Sequence, residues 1–117
     1  MRLLICGSRD WTDEKFIYDQ LKKFKNKIDI VIEGEARGAD KLAAAAARKL
    51  GIPVLPFPAD WYKYGKAAGF IRNRQMLKEG NPDGGWAFSD DIEHSIGTKG
   101  MVKILCSAGK PVKVFKH

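Results

Sequence analysis

A chain of 117 residues, 44% of them apolar, has material for one buried core and predicts a single domain over residues 1 to 117. Its 21 lysines and arginines against 14 aspartates and glutamates leave a formal charge of +7, which admits an anionic partner, a nucleotide or a nucleic acid, without requiring one. No stretch approaches the ~20 apolar residues of a membrane span, Cys6 and Cys106 form no CxxC pair, and there are only two histidines; no membrane partner, disulfide framework, metal or other cofactor is expected, and the cytoplasm is the expected location.

Arg2 to Cys6 reads as a first strand running into the loop Gly7-Ser8-Arg9-Asp10, and Thr12 is placed to cap a helix from Asp13 to about Phe24. Phe16, Ile17, Leu21 and Phe24 recur at helical spacing; Asp13 and Glu14 suit the positive end of the helix dipole and Lys22 and Lys23 the negative end. The β-branched run from Ile28 to Ile32 predicts a second buried strand. Behind it comes a loop bracketed by Gly34 and Gly38, then an alanine-rich helix from Lys41 to Leu50 that stops at Gly51. Asp40 stands where an N-cap would accept a backbone N–H, and the loop's free amides with the helix dipole predict an anion site.

Ile52 to Pro58 reads as a third strand, confined to a sheet edge because three prolines cannot donate to a ladder. An aromatic loop from Ala59 to Gly65 precedes a helix from about Lys66 to Glu79, closed by Gly80-Asn81-Pro82. Gly85 to Phe88 is a fourth strand; the polar stretch from Ser89 to Gly97 leads to Thr98, the expected cap of a last helix to about Ala108, and Val112 to Phe115 is the fifth strand.

Five strands alternating with four helices predict an α/β fold, a Rossmann-like three-layer sandwich around a five-stranded parallel sheet. In a doubly wound order the first and fourth strands become neighbours, and ligands bind outside their carboxyl ends. That places the loops at Gly7 to Arg9, Glu35 to Asp40 and Ser89 to Thr98 around one mouth.

The set Gly7-Ser8-Arg9-Asp10-Trp11, Gly34-Glu-Ala-Arg-Gly-Ala-Asp40, Phe57-Pro-Ala-Asp-Trp61, Tyr64-Gly-Lys-Ala-Ala-Gly69 and Arg72-Asn-Arg-Gln-Met76 resembles the YspA-like branch of the SLOG superfamily over nearly the whole chain. The resemblance implies a domain that binds nucleotides or nucleotide-derived ligands, and at least a homodimer, within a superfamily that also holds the Lonely Guy phosphoribohydrolases and the DNA-processing protein DprA. Against the phosphoribohydrolase pattern, Arg72 and Met76 fall on the arginine and methionine of its helix, Asn73 replaces the lysine, and Gly97 and Thr98 fall on the Gly-Thr pair. Its Pro-Gly-Gly segment is absent and Met101 replaces its glutamate, a thioether that can neither stabilise an oxocarbenium ion nor activate water.

The expected ligand-binding residues are therefore Gly7, Ser8, Arg9, Gly34, Arg37, Gly38, Asp40, Gly65, Gly69, Arg72, Asn73, Gly97 and Thr98, with no catalytic residue assigned. Gly65, Gly69, Arg72 and Met76 would share one helical face, a guanidinium beside a gap left by two missing side chains; the competing reading is close helix packing and an ordinary salt bridge. Trp61, Tyr62 and Tyr64 are read as sealing a core or an oligomer contact in preference to stacking on a base, and Cys6 as a buried thiol. Lys22, Lys23, Lys25 and Lys27 are read as a solvated face. The functions weighed are a nucleotide-binding sensor, sequestering or accessory protein, an N-glycosidase of a nucleoside phosphate using a displaced acid such as Glu93, Asp90 or Asp91, and a DprA-like nucleic-acid binder.

Overall fold

Leu3, Leu4 and Ile5 are consecutive apolar residues and none has appreciable solvent contact, the condition of a strand covered on both faces. They belong to β1 (Arg2–Gly7), the middle of a sheet completed by β2 (Ile30–Glu33), β3 (Val54–Pro56), β4 (Gly84–Phe88) and β5 (Val112–Phe115). The computed structural model describes all of residues 1–117. Its sheet runs β3-β2-β1-β4-β5 with every neighbouring pair parallel, as the alternation of strands and helices predicts. The order reverses at β1, whose two neighbours are β2 and β4.

Five helices, α1 (Glu14–Lys23), α2 (Ala39–Lys49), α3 (Trp61–Tyr64), α4 (Ala68–Gly80) and α5 (Ile96–Ser107), connect the strands. Side chains alternate across β1, so Leu3 and Ile5 enter one core with Ile17, Leu21, Ala43 and Ala47 of α1 and α2. Leu4 and Cys6 enter a second core on the opposite face with Ile32, Met76, Met101 and Leu105, under α4 and α5. The first core, 16 buried residues against 7, is the larger because Trp11, Trp86, Phe88 and Phe115 fill it. No helix is long and apolar enough to cross a membrane.

Local details depart from the sequence reading. Asp13, not Thr12, caps α1, its Oδ1 accepting from the amide of Phe16 at 3.0 Å while Thr12 is exposed. The aromatic loop contains a one-turn helix, α3, because Asp60 Oδ1 accepts from Lys63 N at 3.0 Å and caps it. A 3₁₀ turn, Gly65–Ala67, then delays α4 to Ala68. Strand β3 holds an edge, as its prolines require, and is only three residues long.

Candidate functional site

Outside the carboxyl ends of β1 and β4 lies a cavity of about 450 Å³, walled by the β1 outlet (Gly7, Ser8, Arg9, Asp10), the β2 outlet (Ala36, Arg37, Asp40), α4 (Gly69, Phe70, Arg72, Asn73) and the entry to α5 (Ser95 to Thr98). The three loops that the strand order places at one mouth do converge. Their convergence is fixed by backbone bonds: Ser8 N donates to Phe88 O at 2.9 Å, and Ser8 O accepts from Trp11 N at 3.2 Å and Ala39 N at 3.1 Å. Gly38 makes this junction possible. It sits at φ +86°, and a Cβ there would lie 2.3 Å from Ser8 O.

The β2 outlet is not the open anion cradle that its glycines predict. Glu33, 1% exposed, turns its carboxylate onto the loop and accepts from Glu35 N at 2.7 Å, and Asp40 Oδ2 accepts from Ala36 N at 3.3 Å. Asp40 is therefore no N-cap; Gly38 holds that position without a side-chain bond, and Asp40 sits in the first turn and reaches back. Two of the protein's own carboxylates thus take up the amides of Glu35 and Ala36, while those of Arg37 and Gly38 have no protein acceptor. Burial pushes the Glu33 carboxyl up to about 7, with the Glu35 amide pulling against it. Burial likewise pushes Asp40 up to about 6, opposed chiefly by the positive field of Arg72.

Arg72 is the best-held cation of the site. It is 8% exposed; Nη1 donates to Gly34 O and Nε donates to Asn73 Oδ1 at 3.0 Å, tying α4 to the end of β2. Gly34 is required by this contact, because a Cβ there would lie 2.5 Å from Arg72 Nη1 and 2.8 Å from Cζ. The remaining nitrogen, Nη2, has no protein acceptor. Since no fully enclosed side-chain nitrogen or oxygen is left unpartnered, Nη2 reaches the cavity, on the side where Gly69 presents no side chain. Burial lowers the pKa of Arg72 and Asp40 raises it, while Arg9 opposes Arg72 with like charge. The Arg9 side chain makes no hydrogen bond or ion pair, and Arg37 makes one weak pair with Asp10, at 3.9 Å between two exposed side chains.

Across the cavity α5 opens without a side-chain cap. Ser95 holds the N-cap position, but its hydroxyl is engaged with Ser89 Oγ at 2.9 Å and Asp91 O at 3.0 Å. Thr98, the expected cap, is a buried residue of the first turn. The amides of Ile96, Gly97 and Thr98 thus face the mouth without protein acceptors, so the helix end with the most free amides at the cavity is that of α5, not that of α2. Asn73 Nδ2 fixes this turn by donating to Gly97 O at 3.2 Å.

Of the expected residues, Gly7, Ser8, Arg9, Arg37, Asp40, Gly69, Arg72, Asn73, Gly97 and Thr98 line this cavity. Gly34 lines a second one beside it, and Gly38 stands behind the wall. Gly65 does not belong to the α4 face: at φ +57° it ends α3 and meets nothing. Trp61, Tyr62 and Tyr64 seal no core, being 50%, 104% and 41% exposed, and Trp61 lines the cavity. Cys6 lies at the cavity floor with a thiol that burial holds firmly protonated. Asp90 is turned away to His117, Asp91 pairs with His94 at 2.6 Å and Glu93 with Lys99 at 2.6 Å; none of the three acids lines the cavity. Met101 is fully buried in the second core. Sequence reasoning missed Lys66, which lines the cavity and carries no local signal, and the bond by which Glu33 holds the loop, whose signal was a carboxylate ending an apolar strand immediately before a glycine.

Comparisons with known proteins agree with this architecture. Residues 1–64 match the model of the YspA, cpYpsA-related SLOG family. The chain is 37% identical over 122 residues to the Gene 61 protein of Mycobacterium phage D29, an alignment covering 97% of this chain and 95% of that protein. Among solved structures it resembles DNA processing protein A (DprA) from Streptococcus pneumoniae with a TM-score of 0.75 at 17% identity, a likeness of fold that covers 96% of this chain and 49% of DprA, so that the chain spans about half of that protein. By sequence match over more than half its length and by fold, the chain belongs to the YspA, cpYpsA-related SLOG family.

Proposed function

We propose that residues 1–117 act as one cytoplasmic domain that binds a nucleotide or nucleotide-derived ligand at the carboxyl edge of the sheet, as a sensor, sequestering or accessory protein. The observation that carries this reading is the unpartnered Nη2 of buried Arg72, aimed into a cavity that the uncapped start of α5 also faces. A guanidinium held by two bonds with one edge left open is preorganised for a phosphate oxygen, so little side-chain entropy is lost on binding. Gly69 leaves room beside it, Trp61 offers an aromatic face, and Asp40 offers a carboxylate to a hydroxyl or amine. A homodimer is part of the proposal: Phe70 is 51% exposed and adjoins a shallow groove between α4 and α5 lined by Leu77 and Ile104.

Hydrolysis of an N-glycosidic bond has less support. An oxocarbenium-like transition state calls for a carboxylate near the sugar, and the matching position is Met101, buried in the core away from the cavity. Nucleic-acid binding is favoured by the +7 charge and by the fold shared with a DNA processing protein. Against it, α1 starts at the carboxyl edge and runs back, which carries Lys22 and Lys23 to the opposite edge of the sheet from the cavity.

A thermal-shift and calorimetric panel of AMP, ADP, GDP, NAD, ADP-ribose and cyclic dinucleotides tests the reading, because a ligand of the native state raises Tm. At least one is expected to bind with an affinity only weakly dependent on salt. No shift with any of them at millimolar concentration sinks the proposal, and tight single-strand DNA binding that persists at physiological salt moves the assignment to nucleic acid.

A further inference from the structure

The cavity described above does not end at Arg72. A second cavity of about 510 Å³ lies beside it, bounded by Gly34, Glu35, Pro58 and Ala59 between the β2 outlet and the segment before α3. The two cavities share five wall residues, Arg9, Ala36, Arg37, Trp61 and Arg72. They are two lobes of one cleft.

The charges are not spread evenly over it. Three guanidiniums, those of Arg9, Arg37 and Arg72, stand at the seam, and no carboxylate is among the shared residues. The acids lie to either side, Asp10 and Asp40 in the first lobe and Glu35 in the second. Arg9 has no partner, Arg37 has only its weak contact with Asp10, and Arg72 keeps one nitrogen open, so the three guanidiniums gather at the middle of the cleft with hydrogen-bonding capacity to spare. Each lobe is large enough for a nucleoside-sized group.

We infer that the ligand carries its anionic charge in the middle: a nucleoside diphosphate esterified at its far phosphate, with the diphosphate across Arg9, Arg37 and Arg72, the nucleoside in the first lobe, and a polar sugar or second nucleoside in the lobe beside Ala59. A ligand ending in a phosphate monoester fills one lobe and leaves the other to water, whereas a bridged diphosphate uses both. This assignment rests on the proposed nucleotide-binding function and adds the ligand's shape to it. Glu35, exposed at the rim of the second lobe, is an acceptor for the hydroxyls of its occupant. Trp61, at the seam and half exposed, supplies a flat apolar face at the joint.

Calorimetry with four probes, AMP, ADP, ADP-ribose and diadenosine diphosphate, tests it on the unmodified chain. The esterified diphosphates are expected to bind at least tenfold more tightly than ADP, and ADP more tightly than AMP. Ala59→Trp, which fills only the second lobe, is expected to reduce ADP-ribose to the affinity of ADP and to leave ADP unchanged. Which of the two esters binds better identifies the occupant of the second lobe as a sugar or a nucleoside. Equal or tighter binding of ADP in the unmodified chain overturns the two-lobed ligand and leaves nucleotide binding standing; so does an Ala59→Trp loss shared equally by ADP and ADP-ribose. Failure of all four to bind overturns this inference, and failure of the whole nucleotide panel overturns the function it rests on as well.

Discussion

Replacing Arg72 by alanine removes two hydrogen bonds from a buried cation, Nη1 to Gly34 O and Nε to Asn73 Oδ1, and leaves the Gly34 carbonyl at the end of β2 without that donor. Bonds from a charged donor contribute roughly 1.5–3 kcal/mol each, and releasing the guanidinium from its buried site returns part of that sum, so the net loss of stability is about 2 kcal/mol. A domain with about 5–15 kcal/mol of stability survives this, and Arg72→Ala should remain folded with a lowered urea midpoint. The effect on ligand is separate. Losing a charge-assisted bond from Nη2 to phosphate should weaken binding by about 2 kcal/mol, close to thirtyfold. Arg72→Lys keeps the charge but not the fork, and should recover only part of either loss. Calorimetry and urea titration of both variants check these values. Undiminished affinity in folded Arg72→Ala would refute the reasoning, since the site would then hold its ligand without the one buried donor aimed into it.

Glu33 gives a pH dependence whose sign is fixed by its raised pKa: the folded state holds the proton more tightly, so this contribution to stability is full below the ordinary 4.5 and is lost as pH rises to about 7. The unmodified chain should lose stability over that interval and Glu33→Gln should lose about 2–3 kcal/mol less, read from urea midpoints at pH 5 and pH 8; equal slopes would discard the assignment. Light scattering at high micromolar concentration should give a dimer mass, and Phe70→Glu should shift it to monomer; a monomer of the unmodified chain rejects the dimer. Incubation with AMP, CMP or NAD should release no free base by chromatography, and release that disappears in Asp40→Asn or Glu93→Gln would reinstate the glycosidase.

The sheet was legible because its strands are short apolar runs separated by glycine and proline, and because alternation with helices leaves few topologies. Position along the chain was also enough to bring Arg9, Arg37, Asp40 and Thr98 to one mouth. What it did not convey was direction. Asp40 and Asp13 are both aspartates at the start of a helix, yet Asp13 caps α1 and Asp40 reaches back to Ala36, because Gly38 at φ +86° turns the chain two residues earlier. Gly65 and Gly69 have the spacing of one helical face, but a left-handed residue interrupts the helix between α3 and α4, and spacing is silent about such breaks. The role of Glu33 depends on a bond to Glu35 N, whose residue adopts φ +55°, a local geometry that no periodicity encodes.

The same two acids explain how the site divides its work. A glycine loop leading into a helix has the amides for a phosphate, but here Glu33 and Asp40 already occupy those of Glu35 and Ala36. An anionic ligand brought against the first part of that loop would meet carboxylates at the amides of Glu35 and Ala36. Under the proposed function recognition rests on the groups the fold leaves unsatisfied: Nη2 of Arg72, the side chain of Arg9, the weakly paired Arg37 and the first amides of α5. Arg9 and Arg72 repel one another across the cleft, and the negative charge that relieves this at present is Asp40, a carboxyl raised to about 6 and so largely ionised at neutral pH. The two internal acids thus hold the loop after β2 through the amides of Glu35 and Ala36, and Asp40 in addition compensates the charges of Arg9 and Arg72.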